Sequence, residues 1–356
     1  MTAVGWLESL SPWPEDGFGL ERMRALLAAL GDPQLAFPSV HVVGTNGKST
    51  TTRTIEETLS REGIAAAAYT SPHVTGWAER IRVAGAEVDV ERALARVRPQ
   101  AEALGATQFE ALTAAALAEF ADAGVEVAAV EAGLGGRHDA TNVLRSPVQV
   151  LTNVALEHTE VLGSTREAIA AEKLAVVQRG ATVVLGEAEW EPLARRNGAA
   201  RVVVETGGNR ALAGTAVAAV LGRPVEPADV QLPGRMDRRD DEIWDGAHTP
   251  EAVRYLAPSL PTLGSIVASV LADKDVDGLL VELGRLAPSL VATRSSNPRA
   301  LPAAALAERA RLHVTHVEVL DDPHEALRRA HELGEPVLVT GSLYLLADLW
   351  PSTVRA

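Results

Sequence analysis

Short, continuous runs of apolar residues alternate along the chain with longer stretches in which apolar residues recur every three or four positions. The short runs predict buried β-strands, and the longer stretches predict amphipathic helices. Before residue 222 the predicted strands are 40–43, 64–70, 125–131, 148–154, 182–185 and 201–204, with a hairpin at 79–83 and 87–90. The predicted helices are 20–30, 49–62, 89–104, 107–123, 165–178 and 209–221.

A segment rich in proline and charge, residues 222–241, interrupts this alternation and predicts a domain boundary. The alternation then resumes and continues to residue 350. Strands that alternate with helices predict parallel sheets with right-handed crossovers. We therefore predict an α/β protein of two domains. Residues 1–225 form a phosphate-loop ATPase-type domain with a mainly parallel sheet and helices on both faces. Residues 226–356 form a smaller, Rossmann-like α/β domain.

A glycine-rich segment, Gly44-Thr45-Asn46-Gly47-Lys48-Ser49-Thr50, lies between the first predicted strand and helix. Glycines let backbone N–H groups point at a polyphosphate, and the helix N-terminus adds partial positive charge. The strict pattern G-x-x-x-x-G-K-[ST] requires glycine at Val42, so the match is incomplete. The alternative is a glycine-rich turn with a solvated lysine. The order of strand, glycines, Lys-Ser and helix favours a nucleotide site.

Polar residues follow several other predicted strands of the first domain, where the carboxyl ends of parallel strands meet in one crevice. Ser71 follows the second strand, Glu131 ends the third, and His158 follows the fourth. A buried carboxylate such as Glu131 is costly unless it is paired or binds a metal. The predicted phosphate loop favours a metal at Glu131 over a salt bridge to Arg137. Mg²⁺ prefers oxygen ligands, which makes His158 the weaker candidate ligand. His158 alone could equally be a hydrogen-bonded loop histidine.

In the second predicted domain, polar residues follow the first strand and precede it in the linker. Asp245 and His248 come directly after the strand, while Arg235 and Arg238 lie before it. Basic residues on a hinge can clamp a phosphate when two domains close over it. A solvated, charged linker is the alternative and carries equal weight on chemistry alone.

The composition of the 356 residues narrows the possible classes of function. Hydrophobic residues make up 47% of the chain and charged residues 22%, as is typical of globular proteins. The net charge of −14 disfavours a nucleic-acid partner, because phosphate backbones are bound by clustered Lys and Arg. The absence of cysteine excludes disulfides and thiolate nucleophiles. No signal peptide or apolar stretch of bilayer length is present, so we expect a cytoplasmic protein without a membrane partner.

Taken together, the motifs resemble those of the folylpolyglutamate synthase and dihydrofolate synthase family, which belongs to the Mur ligases. The resemblance follows the family order from about residue 40 to the C-terminus. It rests on the segments 44–48 (GTNGK), 70–73 (TSPH), 79–83 (ERIRV), 131–137 (EAGLGGR), 139–143 (DATNV), 157–158 (EH), 162–163 (LG), 172–173 (EK), 232–235 (LPGR), 245–248 (DGAH), 273–275 (DKD) and 340–342 (TGS).

The resemblance implies a monomeric ligase that uses ATP and Mg²⁺, with two metal sites, to join L-glutamate to a folate or pteroate through an acyl phosphate. It implies that ATP is held by Gly44, Thr45, Asn46, Gly47, Lys48, Ser49, Thr50, Asn142, Arg235 and Asp245. It implies that the metals are held by Ser49, Ser71, Glu131, His158 and a carbamylated Lys173. The implied catalytic residues are Lys48, Lys173 and His248.

Four features depart from the family pattern. Ser49 follows the loop lysine where glycine is usual, Glu157 replaces aspartate, and Thr249 replaces asparagine. Residues 204–209 also lack strands expected late in the first domain. These departures leave open a ligase for a different carboxylic acid, or a nucleotide-binding homologue without ligase activity. A cell-wall Mur ligase is disfavoured, because the roughly forty residues before Gly44 are too few for a UDP-binding domain.

Overall fold

The computed structural model describes residues 1–14 and 17–351. The chain divides into two compact units. The first unit comprises Met1–Pro72 and Trp77–Val230, and the second comprises His73–Gly76 and the chain from Gln231 onward. None of the helices in the described ranges combines the length and the apolar character that crossing a bilayer requires.

The first unit contains helices and strands in near-regular alternation. In chain order they are α1 (Ala3–Ser9), α2 (Glu21–Ala29), β1 (Ser39–Val43), α3 (Lys48–Arg61), β2 (Ala66–Tyr69), β3 (Ile81–Val83), β4 (Ala86–Glu87), α4 (Val90–Ala103), α5 (Gln108–Asp122), β5 (Val127–Glu131), β6 (Val148–Leu151), α6 (Thr159–Leu162), α7 (Arg166–Lys173), β7 (Thr182–Leu185), α8 (Glu191–Arg196), β8 (Arg201–Val204) and α9 (Gly208–Leu221).

The strands of the first unit form a sheet in the order β4-β3-β2-β5-β1-β6-β7-β8. The pairs from β2 to β8 are parallel, and β3 and β4 add an antiparallel hairpin at one edge. Every residue of β1 and β5 is buried, because apolar clusters cover both faces of the sheet. The chain leaves β1 towards β2 on one side and later adds β6 on the other. The carboxyl end of β1 therefore lies at the topological switch point where such sheets bind ligands.

The second unit is built on the same plan around a smaller sheet. Its elements are β9 (Asp237–Arg239), β10 (Glu242–Trp244), α10 (Pro250–Leu256), β11 (Ser265–Ala268), α11 (Val276–Leu283), β12 (Ser289–Ala292), α12 (Ala303–Ala310), β13 (His316–Val319), α13 (Pro323–Leu333), β14 (Val337–Thr340) and α14 (Leu343–Leu349). The strand order is β13-β12-β11-β14-β10-β9, and all neighbours except β9 are parallel. Two apolar clusters pack on its faces.

The predicted fold class, two α/β units with mainly parallel sheets and helices on both faces, is confirmed. Several local bounds differ from the sequence-based expectation; the helix predicted at 165–178, for example, ends at Lys173. The strand predicted at 148–154 ends at Leu151, because the next residues bond to another loop. Helix α1 was not expected, although Trp6 and Leu7 are buried along it and Thr2 caps it. Strand β9 forms within the segment interpreted as a charged linker, where it pairs antiparallel to β10.

Candidate active site

The glycine-rich segment joins β1 to α3, as the sequence predicts, and its residues 44–47 are called the phosphate loop below. Gly47 is the N-cap of α3 and has φ +80°, a left-handed conformation that favours glycine. A Cβ at this position would lie 2.3 Å from Oδ1 of Asn209. Lys48 begins α3, is half-buried, and donates from Nζ to the Thr45 carbonyl oxygen at 3.1 Å. A helix N-terminus and a lysine thus stand together at the switch point, which is the arrangement of an anion site.

Two of the proposed metal ligands, Glu131 and Ser71, are brought together at the same sheet edge. Glu131 ends β5, pairs in register with Val42 of β1, and is 1% exposed. Its Oε2 accepts a hydrogen bond from the Ser71 backbone N–H at 3.0 Å. Arg137, the arginine considered as its ion-pair partner, instead binds Glu172 at 2.9 Å. The carboxylate therefore lies buried where the phosphate loop begins.

Lys173 is buried against the phosphate loop. It is the last residue of α7 and is 1% exposed. Its Nζ donates to the Gly44 carbonyl oxygen at 2.9 Å and to Oε1 of Glu157 at 2.6 Å. Lys173 is therefore a buried residue, and its ion-pair partner is Glu157 rather than the adjacent Glu172. The Lys173 side chain points into the buried interior, whereas the adjacent Glu172 pairs with Arg137.

The environment shifts the pKa values of both members of this pair. Burial lowers the pKa of the Lys173 ammonium, although the Glu157 charge opposes that effect. Burial alone would raise the pKa of Glu157, but the charges of Lys173 and Lys48 and the hydrogen bond from Lys173 lower it to about 2. Glu157 is therefore ionised at neutral pH. A third charge, that of Lys48, acts on both members of the pair.

The second glycine-rich segment, residues 133–137, packs on the C-terminal end of α7. The Arg137 N–H donates to the Glu172 carbonyl oxygen at 3.0 Å. Asn142 donates from Nδ2 to the Arg137 carbonyl oxygen at 3.0 Å, so its side chain fixes this segment in the present structure. Asp139 is buried and accepts from the Leu134 N–H at 2.8 Å. These bonds tie the segment after Glu131 to the helix that carries Lys173.

The remaining proposed metal ligands have donor atoms that suit Mg²⁺ unevenly. Ser49 is buried in the first turn of α3 and, like Glu131, offers oxygen, which Mg²⁺ prefers. His158 is half-buried, has φ +44°, and precedes α6. Across residues 1–14 and 17–351, no three His, Asp or Glu side chains group as a metal site. Among the predicted ligands, the hydroxyls of Ser49 and Ser71 and the carboxylate of Glu131 therefore have the donor atoms that suit Mg²⁺.

Sequence reasoning missed two residues that touch the phosphate loop, Thr152 and Asn153. Both donate side-chain hydrogen bonds to the Asn46 carbonyl oxygen, at 2.7 and 3.0 Å. The available signal was their position: they are polar residues directly after a buried strand, at the same edge as Glu131. The apolar run 148–154 predicts one continuous strand, and only contacts with the distant phosphate loop turn these two side chains to Asn46.

In the second unit, the predicted residues surround the carboxyl end of β10. Asp245 accepts from the backbone N–H groups of Met236 and Ala247 at 2.8 and 2.9 Å, and burial raises its pKa against the opposing charge of Arg235. Nδ1 of His248 lies 2.8 Å from the Gly246 carbonyl oxygen, which requires the proton on Nδ1. These bonds hold the Asp245 and His248 side chains in fixed orientations.

Comparisons with known proteins identify the family to which both units are similar. Residues 42–211 match the Mur ligase middle domain, and residues 234–343 match the Mur ligase glutamate ligase domain. A dihydrofolate synthase/folylpolyglutamate synthase of Escherichia coli is 32% identical over 97% of this chain and 93% of its own length. The protein of the same name from Mycobacterium tuberculosis is 31% identical over 83% of this chain and 78% of its own length.

Solved structures agree over almost the whole chain. Escherichia coli FolC in complex with DHPP and ADP has a TM-score of 0.88 and 29% identity, covering 98% of this chain and 97% of that one. The Yersinia pestis bifunctional folylpolyglutamate synthase/dihydrofolate synthase with Mn, AMPPNP and L-glutamate bound has a TM-score of 0.86 at 29% identity, with coverage of 98% and 97%. With a phosphate loop at the switch point and this likeness over both units, the chain belongs to the dihydrofolate synthase/folylpolyglutamate synthase family of ATP-dependent Mur ligases.

Proposed function

We propose that the protein joins L-glutamate to a folate-type carboxylic acid, with ATP hydrolysed to ADP and phosphate. The observation that carries this proposal is the buried Lys173, whose Nζ contacts the phosphate loop at Gly44 and the carboxylate of Glu157. The Lys173 side chain is only 1% exposed, and burying an ammonium group costs free energy. Buried ionisable groups of this kind cluster at functional sites, which supports a role for Lys173 beside the phosphate loop. The activities named for the relatives, dihydrofolate synthase and folylpolyglutamate synthase, supply the substrate class.

The phosphate loop and the first turn of α3 bind the ATP phosphates in this proposal. Their backbone N–H groups and the Lys48 ammonium neutralise charge that builds up as the terminal phosphoryl group moves. Asn142, Arg235 and Asp245 contact the nucleotide. The ADP and AMPPNP complexes of the neighbours support nucleotide binding by this family.

A divalent cation is held by Ser49, Ser71 and Glu131, and a second by His158 with a carbamylated Lys173. Bound Mg²⁺ supplies charge neutralisation on the phosphate oxygens. The support from this chain is the buried Glu131 carboxylate and the buried Ser49 hydroxyl. The structure shows the unmodified amine paired with Glu157, and carbamylation would replace that pair. Carbamylation needs a neutral amine, and burial lowers the pKa of Lys173 in that direction against the opposing charge of Glu157. The Mn complex of a neighbour supports a divalent cation.

The reaction proceeds in two balanced steps. A carboxylate oxygen of the acid attacks the terminal phosphorus of ATP, and the bond to ADP breaks to leave an acyl phosphate. The amine of L-glutamate then attacks the acyl carbon, loses a proton, and expels inorganic phosphate to form the amide. In this step the imidazole of His248 carries protons on both ring nitrogens: Nδ1 donates to the Gly246 carbonyl oxygen, and Nε2 donates to the reacting carboxylate and orients it. We also propose that the protein works as a monomer in the cytoplasm.

A different carboxylic acid as substrate is the second candidate. Glu157 is one methylene longer than the aspartate usual in the family, and it forms the ion pair with Lys173. The position of its carboxylate beside the proposed metal therefore differs from that of the usual aspartate. Ser49 and Thr249 also depart from the family pattern. A substrate panel distinguishes the two candidates.

The experiment measures phosphate release from ATP in the presence of L-glutamate, with dihydropteroate, tetrahydrofolate and monoglutamylated tetrahydrofolate added separately. We expect release that depends on at least one of the three acids. Lys48→Ala should lower this rate by at least about a hundredfold, because a charge that stabilises the transition state is lost. Arg61→Ala, at the exposed opposite end of α3, is the matched control and should retain wild-type turnover.

Two outcomes would contradict the proposal. If none of the three acids supports phosphate release, another substrate or an inactive homologue is favoured. Normal turnover in folded Lys48→Ala removes the phosphate loop from the reaction.

A further inference from the structure

The loop after β6, residues 152–158, runs alongside the phosphate loop beyond the point where β1 and β6 stop pairing. This β6–α6 loop is joined to the phosphate loop by backbone bonds at its start. The Thr152 N–H donates to Val43, and the Thr45 N–H donates to Asn153, both at 3.0 Å. The Ala155 N–H donates to the Thr45 hydroxyl at 3.0 Å. The two loops therefore behave as one hydrogen-bonded unit at the sheet edge.

Within this unit, the Asn153 side chain binds both backbone groups of a single residue. Its Oδ1 accepts from the Asn46 N–H at 3.0 Å, and its Nδ2 donates to the Asn46 carbonyl oxygen at 3.0 Å. The Thr152 hydroxyl donates to the same carbonyl oxygen at 2.7 Å. Of the short side chains, only an asparagine amide can donate and accept in this way at this distance.

These bonds determine which way the next peptide faces. The Asn46–Gly47 peptide is trans, so its N–H points opposite to its carbonyl group. Because Thr152 and Asn153 hold the Asn46 carbonyl on the side of the β6–α6 loop, the Gly47 N–H points away from that loop. The Asn46 N–H is already bonded to Asn153 and is not available to a ligand. The first N–H groups that can meet a phosphate are those of Gly47 and the start of α3.

The β6–α6 loop is itself anchored on its other side. Glu187 accepts from the Val154 N–H at 2.9 Å, and Arg166 donates from Nε to the Val154 carbonyl oxygen at 2.9 Å. Arg166 and Glu187 form an ion pair at 2.9 Å, and the Trp190 indole N–H donates to Glu187 at 2.8 Å. Asn153 therefore projects from a backbone held in place at the next residue.

From this geometry we propose that Asn153 is a positioning residue for nucleotide binding: it fixes the Asn46–Gly47 peptide so that the N–H groups from Gly47 onward face the phosphates. The inference rests on the proposed function, since it presumes that the phosphate loop binds ATP. Asn153 acts through the loop backbone and does not itself contact the nucleotide. Its removal therefore weakens binding of ATP and ADP and leaves the binding of L-glutamate unchanged.

The experiment compares Asn153→Asp and Asn153→Ala with the wild-type protein. The readouts are the Kd of ADP by calorimetry, the KM values of ATP and L-glutamate, and the melting temperature. Aspartate keeps the size and the acceptor but places an oxygen against the Asn46 carbonyl oxygen, so we expect the Kd of ADP and the KM of ATP to rise roughly tenfold or more. The KM of L-glutamate should stay within about twofold of the wild-type value.

Two matched controls separate positioning from general destabilisation. Thr152→Val removes a donor to the same carbonyl and should raise the Kd of ADP a few fold, whereas Thr152→Ser should restore it. Gln149→Leu removes a buried amide near the other end of β6, where its Nε2 donates to the Ser146 carbonyl oxygen. This variant should leave the Kd of ADP unchanged even if its melting temperature falls.

Wild-type affinity and KM in folded Asn153→Asp would overturn the inference. So would a rise in the Kd of ADP for Gln149→Leu equal to that for Asn153→Asp, because the effect would then follow stability alone. If neither Asn153 variant folds, a Thr152→Val protein with wild-type affinity overturns it. If the wild-type protein itself fails to bind ADP, the proposed function fails first, and this result is distinct from all the others.

Discussion

At the scale of single residues, His41 contributes stability that depends on pH. It lies in the buried strand β1, and its Nε2 is 2.8 Å from the Thr141 hydroxyl. Burial lowers its pKa from the usual 6.5 of a histidine to about 4. The folded protein therefore keeps a neutral imidazole there, and protonating it in place costs free energy. Thr141 donates in turn to Asp139, so His41 belongs to the network that holds the second glycine-rich segment.

The pH dependence follows from this difference in pKa. Between about pH 6.5 and 4 the unfolded chain binds a proton at His41 and the folded protein does not, so the free energy of unfolding falls as pH falls, by up to about 3 kcal/mol. Above that window the contribution is fully present. Urea unfolding of the wild type and of His41→Gln at several pH values measures it. The free energy of unfolding of His41→Gln should fall less steeply between pH 6.5 and 4 than that of the wild type. Parallel plots of unfolding free energy against pH for the two proteins would contradict the role given to His41.

Lys173 illustrates why the sequence could not predict every feature of the site. The motif resemblance proposed a role for it, but the residues alone indicated only a helical lysine beside Glu172. Its burial depends on how α7 is rotated against the sheet, and its pairing depends on where the loop carrying Glu157 returns. Both are set by contacts between segments far apart in the chain, which apolar periodicity does not encode. Asn153 was missed for the same reason.

At the scale of elements, helix α7 positions Lys173 and depends on its N-cap. The N-cap is Thr165, whose Oγ1 accepts from the Ala168 N–H at 3.2 Å. Thr165→Ala should lower the free energy of unfolding by about 1 kcal/mol, because an N–H of the first turn loses its acceptor. Thr165→Ser keeps the acceptor and should match the wild type in urea denaturation. Equal stability of the alanine and serine variants would exclude a capping contribution.

Most elements could be predicted from the sequence because apolar periodicity and turn residues reflect local constraints. Strands β7 and β8 have the predicted bounds, and helix α9 agrees with its prediction to within one residue. Strand β6 was overextended because the apolar Val154 continued the pattern after the ladder had ended. Thr152 and Asn153 use their side chains on the phosphate loop instead, which is a tertiary effect.

At the scale of the whole molecule, the two units carry matching arrangements at the ends of their first parallel strands. In the first unit the phosphate loop follows β1, and in the second Asp245 follows β10. Each position is the carboxyl end of a strand that has a parallel neighbour. Parallel sheets place ligands at such points. The proposed function assigns the phosphates to the first unit and further nucleotide contacts to Arg235 and Asp245 of the second.

The proposed nucleotide contacts of the phosphate loop, Arg235 and Asp245 can be tested residue by residue with ADP. At a hundred times its Kd, ADP should stabilise the protein by about 2.7 kcal/mol, and hydrogen exchange should slow in residues 44–50 and also in residues 235–248. Asp245→Asn removes a charge while leaving oxygen to accept from Met236 or Ala247, and should raise the Kd of ADP roughly tenfold. Asp277→Asn, which breaks an exposed pair with Arg309 in the same unit, should not change it. Protection confined to the first unit, together with wild-type affinity of Asp245→Asn, would remove the second unit from nucleotide binding.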